Sequence, residues 1–405
     1  MSINMFDRSL PNLFFLKSRQ TADLRTENTV SVLYALLTHD HLSRRQIIEL
    51  TGLAPSTVSA ITSRLLDSGI VRRIGNRGKG TAGRKADILS RNPQAAYMAS
   101  VHLTPELCRV GIVDLGYNIL ASKELSFPEG FSETEVSSVV RELESLLEAW
   151  SYSDRLAAIG IALPHHPYDN PYIVRSFRSA FSYPIVQMNN VEAMAMCEYY
   201  DHLSKRLHTL VFIYIGTGIG TGLIIDGNLY QGVTGSASDF GHTFITDAPI
   251  VCRCGRKGCL EAVASELSLS RAMAEHFELH STPVRHELID LLAANIQKGD
   301  AFTLSLLEKA ASYLGRGIFN LVTILDPQEI VITGRLNRLN PFYSNLVEKA
   351  YLDHARQGRF PIIPLNFLPL REDAGLKGTV MFAFVSLFCD AENRELPWQK
   401  ILEHH

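Results

Sequence analysis

The sequence lacks the features of a membrane-embedded, secreted or disulfide-stapled protein. The apolar run that closes residues 1–16, from Leu13 to Leu16, is far too short for a secretory hydrophobic segment or a membrane span. Cysteine is sparse, six in 405 residues, and Cys108, Cys197 and Cys389 are scattered, which suits reduced thiols better than a disulfide framework. The cytoplasm is therefore the expected compartment, with no membrane span. Nor does charge of one sign dominate, since the net value is only −3. With 46% apolar and 20% charged residues the chain is an ordinary globular one, long enough for two or three domains.

The small net charge conceals a split. Residues 1–95 hold 14 Lys and Arg against 7 Asp and Glu, a surplus of +7, and the remainder holds 25 against 35, a deficit of −10. A basic front and an acidic body imply that the front meets a polyanion while the body does something else.

The other half of the cysteines is concentrated. Residues 241–261, GHTFITDAPIVCRCGRKGCLE, carry His242, Cys252, Cys254 and Cys259, between charged and glycine positions rather than in an apolar run. One imidazole and three thiolates make a closed tetrahedral set for zinc, and Gly255 and Gly258 let a short loop fold back on itself. Four ligands leave no open position, so the expected role of Zn(2+) is structural rather than catalytic.

Taken in order, residues 1–22 show no sustained period. Residues 29–37 read as a helix, with Val30, Leu33, Tyr34 and Leu37 on one face. Ser43 followed by Gln46 is a capping-box signature for a second helix through Leu50, and Thr51-Gly52 makes the turn. Pro55 suits the first position of a third helix running to about Ser68. Its apolar stripe, Val58, Ile61, Leu65 and Leu66, leaves Ser56, Thr57, Ser59, Ala60, Ser63 and Arg64 free to approach base edges in a major groove. Residues 70–89 read as a β-hairpin wing whose Arg77, Lys79, Arg84 and Lys85 can follow phosphates or enter a minor groove. A helix-turn-helix alone is only moderately specific. Joined to the basic front and the basic wing, it predicts binding to double-stranded DNA.

From Ala96 the texture is α/β, with strands at 98–103, 108–114, 119–126 and 156–163 and a helix at 136–150. A similar series starts at Thr209, with strands at 210–215 and 223–225 around the stretch GTGIGTG at 216–222. That stretch either presents backbone N–H groups to phosphate or sugar oxygens or is a tight hairpin. A long helix at 309–325, a strand at 329–332, a helix at 375–388 and a polar tail at 392–405 complete the reading. Two similar series imply a duplicated lobe with a ligand cleft between the copies.

These pieces together resemble the ROK family of repressors and sugar kinases, and within it the NagC/Mlc-type transcriptional repressors. The likeness runs from about Leu24 onward through LSRRQIIELTGLAPSTVSAITSRLLDSGIV, the wing ending GRK, GTGIGTG, GH followed by CRCGRKGCLE, and LDPQEIVITG. It implies a winged helix-turn-helix over residues 1–92 and a two-lobed actin-like ATPase fold behind it. The first lobe would span 93–205, the second, with the zinc site, 206–385, and residues 386–405 would return towards the first. It also implies that His242, Cys252, Cys254 and Cys259 match the family's zinc ligands, and that Asn189, Asn190, Asp239, His242 and Glu261 are effector contacts.

Family kinases carry a catalytic aspartate where this chain has Asn190, and an amide cannot take a proton from a sugar hydroxyl. Their first phosphate loop carries an aspartate and a glycine where this chain has His102 and Thr104. The expected function is thus a non-enzymatic transcriptional regulator of carbohydrate-related genes, a repressor working as a homodimer or homotetramer on a pseudo-palindromic operator. A sugar, a sugar phosphate or a protein partner at the body would control it. The alternatives are a sugar kinase with a fused DNA-binding head and a ligand-independent dimerisation or docking scaffold.

Overall fold

The structure, a computed structural model, describes residues 21–39, 41–77, 86–105, 107–127, 133–150, 155–164, 171–202, 207–283, 286–357 and 361–388. Residues 1–20, the tip of the wing and residues 389–405, which include the polar tail, lie outside them. The chain divides into two compact units, Met1–Lys205 with Asp373–His405, and Arg206–Glu372.

The first unit opens with α1 (Thr21–Thr38), β1 (Leu42–Ser43), α2 (Arg44–Thr51), α3 (Pro55–Asp67), β2 (Val71–Arg77) and β3 (Ala86–Arg91). α1 starts upstream of the expected residue 29. No glycine or proline interrupts residues 21–28, so the helix propagates beyond its periodic apolar face. The capping box forms as expected: Gln46 N donates to Ser43 Oγ at 3.3 Å and Ser43 N donates to Gln46 Oε1 at 2.9 Å. Gly52 closes α2 with a φ of 68°. Val30, Leu33, Ile47, Val58, Ile61 and Leu65 form the core of the head, with Thr62 buried beside them and Leu66 only half-buried. The wing is a three-stranded sheet ordered β1-β3-β2.

A second sheet in this unit is built from β4 (Tyr97–Thr104), β5 (Leu107–Asp114), β6 (Ile119–Ser126), β7 (Leu156–Leu163) and β8 (Ile185–Asn189), ordered β6-β5-β4-β7-β8. Around it stand α4 (Glu133–Glu148), α5 (Pro171–Ala180), α6 (Asn190–Asp201) and α12 (Ala374–Phe388). α5, β8 and α6 fall in a stretch where periodicity predicts no element. Every residue of α6 from Asn190 to Tyr199 is buried, so it carries no amphipathic stripe to detect. α12 also departs from expectation. Placed with the second lobe by the boundary at 385, it packs on α6, β4, β7 and β5 of the first unit.

The second unit contains β9 (Thr209–Ile215), β10 (Ile219–Ile225), β11 (Asn228–Leu229), α7 (Glu261–Ala264), α8 (Glu266–His276), α9 (His286–Lys298), α10 (Ala301–Leu325), β12 (Glu329–Gly334), α11 (Phe342–Ala355) and β13 (Leu365–Leu368). Its sheet order, β11-β10-β9-β12-β13, repeats that of the first unit: third strand, second, first, fourth, fifth. The expected duplication is therefore present in topology. The stretch GTGIGTG forms a hairpin, as one of its two readings expects. Ile219 pairs with Ile215, so only residues 216–218 turn, and Gly216 N donates to Gly218 O at 2.9 Å.

Candidate metal centre and nucleic-acid interface

His242 ends a short 3-10 turn, Phe240–His242, and the cysteines follow on a loop closed by two isolated antiparallel bridges, Phe244 to Cys259 and Val251 to Lys257. Gly255 and Gly258 take φ of 84° and 76°, and a Cβ on Gly258 would strike the carbonyl oxygen of Thr246. The four donor atoms of His242, Cys252, Cys254 and Cys259 all lie within 4.8 Å of one another. Cys252 Sγ is 3.5 Å from His242 Nδ1, and Cys254 Sγ is 3.7 Å from Cys259 Sγ. A tetrahedron with metal–sulfur bonds of about 2.3 Å and metal–nitrogen bonds of about 2.0 Å has edges of roughly 3.5–3.8 Å. The residues therefore fit a four-coordinate metal with no position left open.

The thiols differ. Burial pushes Cys252 up, and burial with its cysteine neighbours pushes Cys259 up to about 12. At Cys254 desolvation pulls upward, but hydrogen bonds from Arg256, Cys252 and Cys259 outweigh it and bring the thiol down to about 7. Cys254 is thus the readiest to become a thiolate.

Glu261, expected as an effector contact, is buried and fully engaged. Arg253 Nε meets its Oε1 at 2.6 Å and Nη2 its Oε2 at 2.8 Å, while Ile219 N donates to Oε2 at 3.0 Å. Sequence reasoning missed Arg253, although its place between two metal ligands, across a short loop from Glu261, was the available signal. Asp239 is exposed, and its backbone carbonyl accepts from His242 N at 3.0 Å.

Asn189 and Asn190 belong to the other unit, and both have structural hydrogen bonds. Asn189 Oδ1 caps α6 by accepting from Val191 N at 2.8 Å and Glu192 N at 3.3 Å. Asn190 is buried and its Nδ2 donates to Leu103 O at 3.2 Å. His102 sits on β4 with neither ring nitrogen hydrogen-bonded to any described residue. Burial, aided by Arg109, lowers it to about 4.

In the head, Ser56, Ser59, Ala60, Ser63 and Arg64 are exposed and Thr57 is half-buried. α3 has no side-chain N-cap bond and no acidic residue in its first turn, which leaves its first N–H groups and helix dipole available to a phosphate. Arg64 departs in part from the expected role, because its Nη2 donates to Thr29 Oγ1 of α1 at 3.3 Å. Arg77 ends β2, and Lys79, Arg84 and Lys85 lie outside the described residues. Three further arginines went unread. Arg45 on α2 and Arg72 and Arg73 on β2 are exposed on elements that pack on α3, with Arg45 paired to Glu49 at 2.9 Å and Arg73 to Asp87 at 3.4 Å, and the two Arg-Arg doublets were their signal. Arg44 is structural, with Nε on Thr62 Oγ1 at 2.8 Å.

The ROK family profile matches residues 110–384, and a winged helix-turn-helix DNA-binding profile matches residues 25–72. The xylose repressor of Bacillus spizizenii is 27% identical over 334 residues, spanning 79% of this chain and 85% of that one. The DNA-binding transcriptional dual regulator NagC of Escherichia coli is 23% identical over 327 residues, 76% of this chain and 80% of its own. A crystal structure of a ROK family transcriptional regulator, a homologue of the E. coli MLC protein, superposes with a TM-score of 0.73 at 21% identity. It covers 94% of this chain and 100% of its own. The ROK hexokinase of Thermus thermophilus superposes with a TM-score of 0.58 at 24% identity over 70% of this chain and 97% of its own. The fold is accordingly a winged helix-turn-helix followed by an actin-like ATPase body.

Proposed function

Since the chain belongs to the ROK family, we propose that its winged head and family body together make a DNA-binding transcriptional regulator, a repressor of carbohydrate-related genes. One observation carries this reading: α3 presents Ser56, Ser59, Ala60 and Ser63 to solvent from a capped, packed helix pair. Small polar side chains on a rigid exposed face suit a major groove, and the unpaired first turn suits the flanking phosphate. The relatives named repressors support the same conclusion.

The regulator acts in the cytoplasm as a homodimer or homotetramer whose recognition helices meet successive half-sites of a pseudo-palindromic operator. A sugar or sugar phosphate bound at the body, or a protein partner docked there, biases the spacing of the heads and so the affinity for DNA. His242, Cys252, Cys254 and Cys259 hold a structural zinc, which supplies four bonds that stiffen the loop carrying Arg253. Sugar phosphorylation is disfavoured, because Asn190 is an amide tied to Leu103 O and supplies no general base.

Selection of bound duplexes from random sequence, followed by titration of the complex with xylose, N-acetylglucosamine, glucose and their phosphate esters, tests the proposal. An enriched inverted repeat released by one of these ligands is expected. Absence of binding to every duplex at low salt sinks it, and sugar-dependent ATP turnover by the same preparation would restore the kinase reading.

A further inference from the structure

We propose that Arg91 and Tyr117 clamp the DNA-binding head to the sheet of the first unit as one rigid piece, and so act as positioning residues for the recognition helix. The inference rests on the regulator reading only for its consequence on DNA. The clamp itself stands on contacts within one unit.

A head joined through a plain linker would swing, and little of any movement in the body would reach α3. Here the connection is short and fastened on both sides. β3 ends at Arg91, a 3-10 turn occupies Pro93–Ala95, and β4 starts at Tyr97. Towards the head, Asn92 N donates to Ile70 O at 2.7 Å and Asn92 Nδ2 to Gly69 O at 2.8 Å. Towards the body, Leu115 N donates to Pro93 O at 3.2 Å and to Ala96 O at 3.0 Å, and Arg155 Nη1 donates to Gln94 O at 3.2 Å.

The centre of the clamp is the C-terminus of α1. The last carbonyls of a helix have no partner within it, and one sealed from water must find a donor elsewhere. Leu37 is wholly buried, and its carbonyl accepts from Arg91 Nη1 at 2.9 Å and Tyr117 Oη at 3.2 Å. One donor comes from the wing strand and the other from the turn between β5 and β6, so a single oxygen ties helix, wing and body together. The Arg91 guanidinium also lies 4.4 Å from the centre of the Tyr117 ring, and a cation suits the negative end of the helix dipole.

Tyr117 is held in place for this. Its φ is +65°, a left-handed conformation that bulky side chains seldom adopt. The turn is kept by the Asp114 carboxylate, which accepts from Asn118 N at 2.9 Å and Asn118 Nδ2 at 3.0 Å. On its far side the ring packs 6.1 Å from Tyr200 of α6 and 6.3 Å from Phe384 of α12. Those helices touch backbone to backbone, since a Cβ on Gly378 would run into the carbonyl oxygen of Ala193. The chain of contacts therefore runs from α6, whose N-terminus carries Asn189 and Asn190, through Tyr117 to the end of α1. Whatever displaces the first unit carries α3 with it.

The test uses full-length protein, wild type, Tyr117→Phe and Arg91→Met, with Tyr117→Phe as the milder change should Arg91→Met misfold. Hydrogen exchange of peptides from α1–α3 and from β4–β5 is followed without DNA. In Tyr117→Phe the head peptides should exchange about five- to tenfold faster while β4–β5 peptides keep their wild-type rate. Unchanged head exchange overturns the clamp, and so does an equal rise in both regions, which would mark ordinary destabilisation. Binding is then measured on single half-sites and on paired half-sites at varied spacing. Tyr117→Phe should match wild type on the single site yet lose its preference among spacings, and a spacing profile identical to wild type also overturns the clamp. Failure of the wild type to bind any duplex would instead remove the regulator reading, with the exchange result still deciding the clamp.

Discussion

Arg253 closes around Glu261 with two prongs, Nε to Oε1 at 2.6 Å and Nη2 to Oε2 at 2.8 Å, and the carboxylate it grips is buried. A buried carboxylate without its partner is costly, because the peptide N–H of Ile219 at 3.0 Å and the Cys252 thiol at 3.9 Å cannot replace a guanidinium. Arg253→Gln is therefore expected to destabilise the protein by about 2 kcal/mol, below the roughly 3–5 kcal/mol of a fully buried pair because the arginine is partly solvated. Adding Glu261→Gln should recover part of the loss. Urea denaturation of the four proteins in this cycle checks it, and strictly additive losses would mean that the pair is not coupled.

Ala60→Glu probes the recognition face. Ala60 is exposed in mid-helix, and glutamate is a good helix former, so stability should change by less than about 0.5 kcal/mol. A carboxylate brought against base edges and phosphates should weaken operator binding by on the order of 100-fold. Fluorescence anisotropy beside a melting curve separates the two effects. In the same assay Arg72→Ala, at an exposed arginine of β2, should lower the slope of affinity against salt by about one through loss of a phosphate contact, and an unchanged slope would remove Arg72 from the interface.

At the metal centre the expected result of Cys254→Ser is loss of bound zinc together with loss of stability. Cys254 has the most acidic thiol of the three, held at about 7, and serine offers a far weaker ligand at the same place. Metal content by elemental analysis should fall from one equivalent towards none, and the melting temperature should fall with it. A variant that kept both would show that the other three residues suffice.

Much of this was legible in the residues, and the exceptions share causes. Amphipathic and capped elements could be read directly: Ser43 with Gln46 placed α2, and Val58, Ile61 and Leu65 oriented α3. The metal cluster announced itself by ligand chemistry at close spacing. α6 stayed hidden because it is buried on every side, and α12 was set with the second lobe because its largely apolar sequence says that it is buried but not against what. Arg253 and Arg64 show a further limit. Which partner a long charged side chain chooses depends on tertiary geometry, and the sequence records only that the charge is there.

His102 gives the protein a predictable weakness to acid. It is buried against α12 so closely that a Cβ on Gly375 would strike its ring, and neither ring nitrogen has a hydrogen-bond partner among the described residues. Burial first, and Arg109 second, lower it from the model-peptide value of 6.5 to about 4. In the unfolded chain the same imidazole takes a proton near 6.5, so between the two values the unfolded state binds more protons and stability falls as pH falls. The contribution is intact well above pH 6.5, declines as the pH falls through the window between the two values, and by about pH 4 has dropped by on the order of 3 kcal/mol. His102→Leu keeps the volume and removes the titration. Urea midpoints of wild type and variant at pH 7 and pH 5 should therefore diverge as the pH drops, with the wild type losing about 2 kcal/mol more across that interval. Parallel losses in the two proteins would mean that His102 is not held neutral in the folded state, and that the acid sensitivity comes from carboxylates elsewhere.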